Sequence, residues 1–332
     1  MRIVTIARSA KKWMIRYCQG SRANIAFAGI RRGGSSLLAD LIASQRGIWF
    51  ANEPFAVFPG HSSERYASRY LPRLPHSQFF GLDSEHDIAV RRYMALLNRG
   101  AIPIGTCRRT KFPLRADRVC LKILNAPFLT DDFVRRDGMI AIFLVRHPAA
   151  QALSVLRLGW GFSAEAYFER PDFLRLYLTD EQIEFGSLVL RNGTDWEKAI
   201  LNWVVETLFP LKHARELSLC LTYEELVLVP EVVIPLLCRT CGFDDPELMR
   251  RLIARPSGSS WMSTRDTMGK ISSRDRWALV ASWEHRVDGH MRAVAQNVLD
   301  RMGVITYRMD DPLAARRWQL HHLDLQRARP SL

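Results

Sequence analysis

The segment Asn24-Ile25-Ala26-Phe27-Ala28-Gly29 runs into Ile30-Arg31-Arg32-Gly33-Gly34-Ser35-Ser36, and then into Leu37, Leu38, Leu41 and Ile42 at helical spacing. An apolar run of strand length, a turn with adjacent glycines and an amphipathic stretch predict strand, Gly-rich turn and helix in direct succession. A strand that hands over to a helix in this way belongs in a parallel sheet, whose strands are joined by crossovers rather than hairpins. The rest of the chain fits that frame. Residues 47–52 read as a second strand, stopped at Glu53-Pro54 because proline cannot continue the ladder. Residues 119–124 (VCLKIL) and 139–145 (MIAIFLV) are apolar runs of buried-strand length, with a helix over 130–136 between them. Further on, helical patterns cover 195–217, 230–241, 274–283 and 285–302, and 218–222 (SLCLT) is another strand. The expected fold is α/β: a P-loop-like, mostly parallel sheet flanked by helices, in a single domain over residues 23–307. A basic segment, 1–22, precedes it and a tail, 308–332, follows. Residues 61–118 are irregular, with Pro72, Pro75, Pro103, Pro113 and one helix over 85–98, and read as an insertion.

Charge narrows the partners. The 332 residues carry 47 Lys and Arg against 34 Asp and Glu, a formal net charge of +13, with no acid before Asp40. Such a field attracts polyanions such as nucleotides, nucleic acid, anionic lipid or acidic glycans, although an arginine-rich surface without a specific role gives the same sum. No nucleic-acid motif or interleaved basic and aromatic stripe occurs, so no specific nucleic acid is expected. Ile6, Trp13, Ile15 and Tyr17 among Lys11, Lys12 and Arg16 outline a basic amphipathic helix, which either touches an anionic membrane or packs on the domain. No apolar run reaches about eighteen residues, and bases interrupt the N-terminus too often for a signal peptide, so a soluble, cytoplasmic chain is expected. Cys18, Cys107, Cys120, Cys220, Cys238 and Cys241 are scattered through a core-forming chain and read as reduced thiols. The Cys238/Cys241 pair lacks a second ligand pair for zinc and ends an apolar helical run, which favours packing.

Two segments carry chemistry. Residues 29–36 have the spacing of a Walker A loop, but Ser35 stands where its lysine belongs. An NTPase needs that lysine on its phosphates and an acid for magnesium. Here the cations lie inside the loop, at Arg32 and Arg31, while the glycines, the helix N-terminus and two hydroxyls still suit an anion. The second segment is Arg146-His147-Pro148 through Ser154. With Pro148 opening a helix, Arg146 sits at the sheet's carboxyl edge and Ser154 about two turns along that helix, where both can reach one phosphate.

Together these segments resemble the PAPS-dependent sulfotransferase family, most closely its carbohydrate-modifying branch (PAPS is 3′-phosphoadenosine 5′-phosphosulfate). Arg32-Gly33-Gly34-Ser35-Ser36 is similar to that family's 5′-phosphosulfate loop, and Arg146 to Ser154 to its 3′-phosphate motif. Glu53-Pro54, Lys122, Leu221-Thr222-Tyr223-Glu224-Glu225-Leu226 with Pro230, and Cys241-Gly242-Phe243 match in order. The resemblance implies sulfuryl transfer from PAPS to a hydroxyl of a carbohydrate or other hydroxylated acceptor, with PAP released and no metal required. It implies a donor site of Arg31, Arg32, Gly33, Gly34, Ser35, Ser36, Arg146 and Ser154. Lys270, with Arg265 and Gly269, is the candidate for closing over the 3′-phosphate. His147 replaces the family's Asp, which bears on helix capping, and Gly33 replaces a Ser, which removes a hydroxyl.

Within that scheme Arg32 stabilises the leaving group and Glu53, at a strand end beside the cleft, is the base, with His61 as the alternative. The alternative for Glu53 is a structural carboxylate that pairs with Arg31 or Arg32. Lys122 needs a partner at its strand end, an acid or the donor's sulfate, and Tyr223 and Glu224 read as bracing for Arg146 or as a helix cap. Residues 61–118 and 160–192 are expected to line the acceptor pocket. Two other functions compete: a P-loop-like phosphotransferase using ATP, which lacks its lysine, and a non-enzymatic module that binds polyanions or membranes.

Overall fold

Five apolar segments, Ile25–Gly29 (β1), Ile48–Asn52 (β2), Arg118–Ile123 (β3), Ile140–Val145 (β4) and Leu219–Thr222 (β5), pair into one parallel sheet in the order β2-β3-β1-β4-β5. The structure is a computed structural model, and it describes residues 16–315 apart from 19, 59, 62, 72–86, 103–114, 215 and 259. β1 is central, with Ile25 opposite Cys120 on one side and Ile140 on the other. Side chains alternate across a strand, so Ile25 and Phe27 enter one core cluster and Ala26 and Ala28 the other. Arg118 opens β3 fully buried because each of its three nitrogens donates to a backbone carbonyl. Nε and Nη2 donate to the Ala23 carbonyl at 2.8 and 2.5 Å, and Nη1 donates to the Cys241 carbonyl at 2.6 Å.

The connections cover the two faces differently. Helix Ser35–Ala43 (α1) follows β1 and buries Leu38, Leu41 and Ile42 with Phe27 and Phe50. Helices Thr130–Asp137 (α2), after β3, and Pro148–Arg157 (α3), after β4, pack on the other face through Phe133, Ala149 and Ala152. Helix Asp195–Trp203 (α4) joins that second layer through Ile200 and Leu201. Tyr223–Leu228 (α5) and Pro230–Cys241 (α6), after β5, return to the first. Adjacent strands β1 and β4 therefore send their connections to opposite faces, and an open α/β sheet has its ligand crevice beyond the strand ends at such a point.

Departures from the expected elements have local causes. The helix expected over 195–217 changes register after α4. Pro210 has no N–H, the Phe209 N–H reaches back to Val204 O, and a π-helical turn, Val204–Leu208, leads into Phe209–His213. The helix expected over 274–283 is shorter, Arg276–Val280 (α8), and a helix that was not expected, Arg265–Ser273 (α7), precedes it. Arg274 ends α7 at φ 59°, and the Asp275 carboxylate caps α8 by accepting from the Ala278 N–H. Tyr17 lies in a two-residue strand, Arg16–Tyr17, paired with Arg115–Ala116, not on a helix. Residues 1–15, Cys107 and the four prolines of the insertion fall outside the described residues. The other five cysteines are unpaired thiols. Packing continues beyond 307, with Met309, Leu313 and Ala314 buried. No helix among the described residues is long and apolar enough to cross a membrane.

Candidate active site

The turn from β1 to α1 holds a backbone that few residue types adopt. Gly34 has φ 87°, and a Cβ there would sit 2.3 Å from Tyr223 Cδ2, so glycine is required for both conformation and space. At Gly33, where the resemblance expects serine, a Cβ would stand 3.0 Å from the Ile30 carbonyl, which accepts the Gly33 N–H at 3.1 Å. Among the described residues three that are not glycine have positive φ: Arg32 at 63°, Glu53 at 50° and Arg274 at 59°. Such a backbone is uncommon and marks functional sites. All three line one cavity of about 560 Å³.

That cavity lies beyond the carboxyl ends of β1, β2, β3 and β4, and it is strongly cationic. Arg31, Arg32, Lys122, Arg146, Arg157, Arg255, Lys270, Arg274, Arg276 and Arg286 line it against two acids among the described residues, Glu53 and Asp275. At its centre Arg32 Nε donates to Ser154 Oγ at 2.9 Å, and Arg146 Nη1 donates to the Arg32 carbonyl at 3.0 Å. The two anion segments foreseen from sequence are thus directly joined. Burial, followed by the charges of Arg146 and Arg157, pulls Arg32 down to about 10, which still leaves it charged at neutral pH. The Arg146 guanidinium lies over the Tyr223 ring at 4.4 Å, and its buried Nε has no partner. Among the described residues no carboxylate pairs with Arg32, Arg146, Arg157 or Arg286.

The turn that carries Arg146 is held from behind. His147 caps α3 by accepting the Ala149 N–H at Nδ1, and its Nε2–H donates to the Arg308 carbonyl at 3.1 Å. Its ring stacks on Trp283 at 4.2 Å, and burial pushes it down to about 3, so it is neutral. Glu224 accepts from the His147 N–H and from Tyr307 Oη, and Trp203 Nε1 donates to the Arg146 carbonyl at 2.9 Å. Position 147, where the resemblance expects Asp, thus holds a neutral cap that also ties down the 305–315 segment.

At the other end Lys122 Nζ donates to Glu53 Oε1 at 2.9 Å, and His61 Nε2 lies 3.5 Å from Glu53 Oε2. Burial alone would raise the Glu53 carboxyl, but the Lys122 charge and hydrogen bonds from His61 and Lys122 outweigh it and bring it to about 2. The Ser63 N–H donates to His61 Nδ1 at 3.2 Å, which leaves the His61 proton on Nε2, facing Glu53.

Of the residues singled out from sequence, Arg31, Arg32, Gly34, Ser35, Ser36, Glu53, Lys122, Arg146, Ser154 and Lys270 line the one cavity, whereas Gly33, Arg265, Gly269 and His61 do not. Glu53 pairs with Lys122 and His61 rather than with Arg31 or Arg32. Lys270 donates to Asp266 at 2.8 Å within α7. Arg31 is occupied by Gly161 O, Glu206 and the Trp160 ring. Within 160–192 the cavity takes Trp160 and Gly161, while Tyr167 and Phe173 are core. Sequence reasoning missed Arg157, Arg255, Arg274, Arg276 and Arg286. Arg157 had a signal, since it stands three residues after Ser154 on the same helix face; the other four reach the cavity only through long-range packing.

No family model matches this sequence, and no curated protein matches it. Among solved structures the chain is similar to mouse sulfotransferase SULT7A1 complexed with PAP, at 14% identity and a TM-score of 0.41 over 86% of this chain and 85% of that one. It is also similar to the sulfotransferase domain of the Synechococcus PCC 7002 olefin synthase (15% identity, TM-score 0.42, 86% and 97% covered). A third is the sulfotransferase domain from the curacin biosynthetic pathway (14% identity, TM-score 0.42, 86% and 99% covered). At these values the likeness decides nothing about chemistry, which rests on the residues of the cleft.

Proposed function

We propose that the cleft binds a nucleotide bearing two separated anionic groups and transfers one of them. More particularly, the chain is a sulfotransferase that takes PAPS as donor and releases PAP. The observation that carries this reading is the joined set Arg32, Ser154 and Arg146: two guanidiniums with no carboxylate partner among the described residues, Arg32 donating to the Ser154 hydroxyl and Arg146 to the Arg32 carbonyl, beside a loop whose Walker lysine is a serine. One phosphate does not need both segments, and an ATP-dependent phosphotransferase would lack its lysine.

In this reading Arg32 and the start of α1 hold the 5′-phosphosulfate, and Arg146 with Ser154 holds the 3′-phosphate. Ser35 and Ser36 supply hydroxyls, and Lys270 closes the far side. The acceptor hydroxyl oxygen bonds to sulfur as the sulfur–oxygen bond to the 5′-phosphate breaks. Arg32 stabilises the charge that stays on PAP, and the acceptor proton passes to Glu53. A carboxylate held at about 2 is a weak base. Lys122 turning from Glu53 to the sulfuryl oxygens would remove its first neutralising partner and raise its basicity. The acceptor is proposed to be a carbohydrate or another hydroxylated molecule, taken on the side where Phe58 and Trp160 line the cavity.

The test is transfer of labelled sulfate from PAPS into a panel of hydroxylated acceptors by the wild type, Arg32→Ala and Glu53→Gln. Label transfer that both substitutions abolish is the expected result. An Arg32→Ala protein as active as wild type sinks the donor assignment, and a fully active Glu53→Gln sinks the base.

A further inference from the structure

The end of α4 and the turn after it contact the 163–164 segment, Arg146 and Arg31. Asn202 Oδ1 accepts the N–H groups of Ser163 and Ala164 at 2.8 and 3.0 Å, and Trp203 Nε1 donates to the Arg146 carbonyl. In the π-helical turn after it, Glu206 is 1% exposed, accepts from Ser163 Oγ and faces Arg31 Nη2 at 3.7 Å. Arg31 Nη2 also donates to the Gly161 carbonyl at 3.2 Å, and its guanidinium lies 5.8 Å from the centre of the Trp160 ring. Among the described residues the neighbouring Arg32 and Arg146 have no carboxylate partner. Arg31, next to Arg32 in the chain and lining the same cavity, differs from them in having a buried acid beside it.

We infer that Glu206 is a positioning residue that keeps Arg31 on the 160–163 wall and out of the phosphate pocket, so that the loop presents Arg32 alone to the donor. The inference rests on the reading of the cleft as a PAPS site. A guanidinium in a cleft with surplus cations turns to any bound phosphate unless a carboxylate holds it, and among the described residues Glu206 is the acid beside Arg31. Losing that hold leaves Arg31 free to add a contact to the nucleotide and uncouples it from Trp160.

PAP binding by calorimetry, with the 19F resonance of 5-fluorotryptophan at position 160 assigned through Trp160→Phe, tests this. Glu206→Gln keeps the shape and removes the charge. It is expected to bind PAP at least about threefold more tightly and to shift the Trp160 resonance. Arg31→Met should shift the resonance likewise, and the double variant should lose the gain in affinity. A structural residue would weaken binding instead, so unchanged or weaker PAP binding by Glu206→Gln overturns the inference. If the wild type does not bind PAP, the donor reading fails on its own. The Trp160 resonance then decides alone, an unmoved signal in Glu206→Gln and Arg31→Met overturning the clamp. Should Glu206→Gln fail to fold, Glu206→Asp, which shortens the reach, must move the same resonance.

Discussion

The two ends of the cleft solve opposite electrostatic problems. Around Arg32 and Arg146 the cations are in surplus, answered by a hydroxyl, a carbonyl and an aromatic ring. Around Glu53 the charge is compensated: Lys122 and His61 close on one carboxylate and hold it at about 2. An uncompensated end is suited to take up a polyanion, because binding supplies the missing charge. A compensated end is suited to a proton, because moving one partner changes the basicity of the other. The strained backbones of Arg32 and Glu53 sit one at each end, and Lys122 is the group that can serve both.

Substitutions should separate the ends. The largest effect is expected from Glu53→Gln, which should lower sulfate transfer by about 10²–10⁴ and leave PAP affinity within about threefold, as read by a transfer assay beside calorimetry. Loss of PAP binding in that variant would merge the two ends. Next come Arg32→Ala and Arg146→Ala, each expected to weaken PAP by about 100-fold, near 3 kcal/mol, with little change in melting temperature.

A smaller effect tests the scaffold behind the cationic end. His147→Asn retains a cap but loses the Trp283 stack, and should cost about 2 kcal/mol at pH 7.5 by denaturant unfolding. The sign of its pH dependence is fixed. His147 sits near 3 when folded against 6.5 in the unfolded chain, so the unfolded state takes up the proton first. The wild type therefore loses this stability as pH falls from 6.5 toward 3, the variant does not, and the gap between them should narrow. A gap constant down to pH 4 would contradict the neutral cap. The smallest effect is expected from Lys270→Ala, whose ammonium is already paired with Asp266: about threefold in PAP affinity by calorimetry.

The same contrast between the ends governs how much was legible in the sequence. The sheet was legible because 25–29, 119–123 and 140–145 are buried on both faces and so carry unbroken apolar runs. The cationic end was largely legible because its residues lie in two short local segments whose spacing encodes a turn and a helix start. Glu53 could be placed, but not its partners, since Lys122 arrives from another strand and His61 through a loop. Arg31 stood beside Arg32 with the same chemistry, and only the distant Glu206 distinguishes them. Arg274 and Arg276 were hidden because apolar spacing read 274–283 as one helix, whereas the turn at Arg274 and the Asp275 cap set where these two side chains stand.

The central claim is that the cleft holds two separate anionic groups of one nucleotide. Calorimetric titration of the wild type with PAP and with adenosine 5′-monophosphate, both in EDTA, measures it directly. PAP should bind at least about 100-fold more tightly, the contribution of Arg146 and Ser154 to the second phosphate. Equal affinity for the two nucleotides would contradict it.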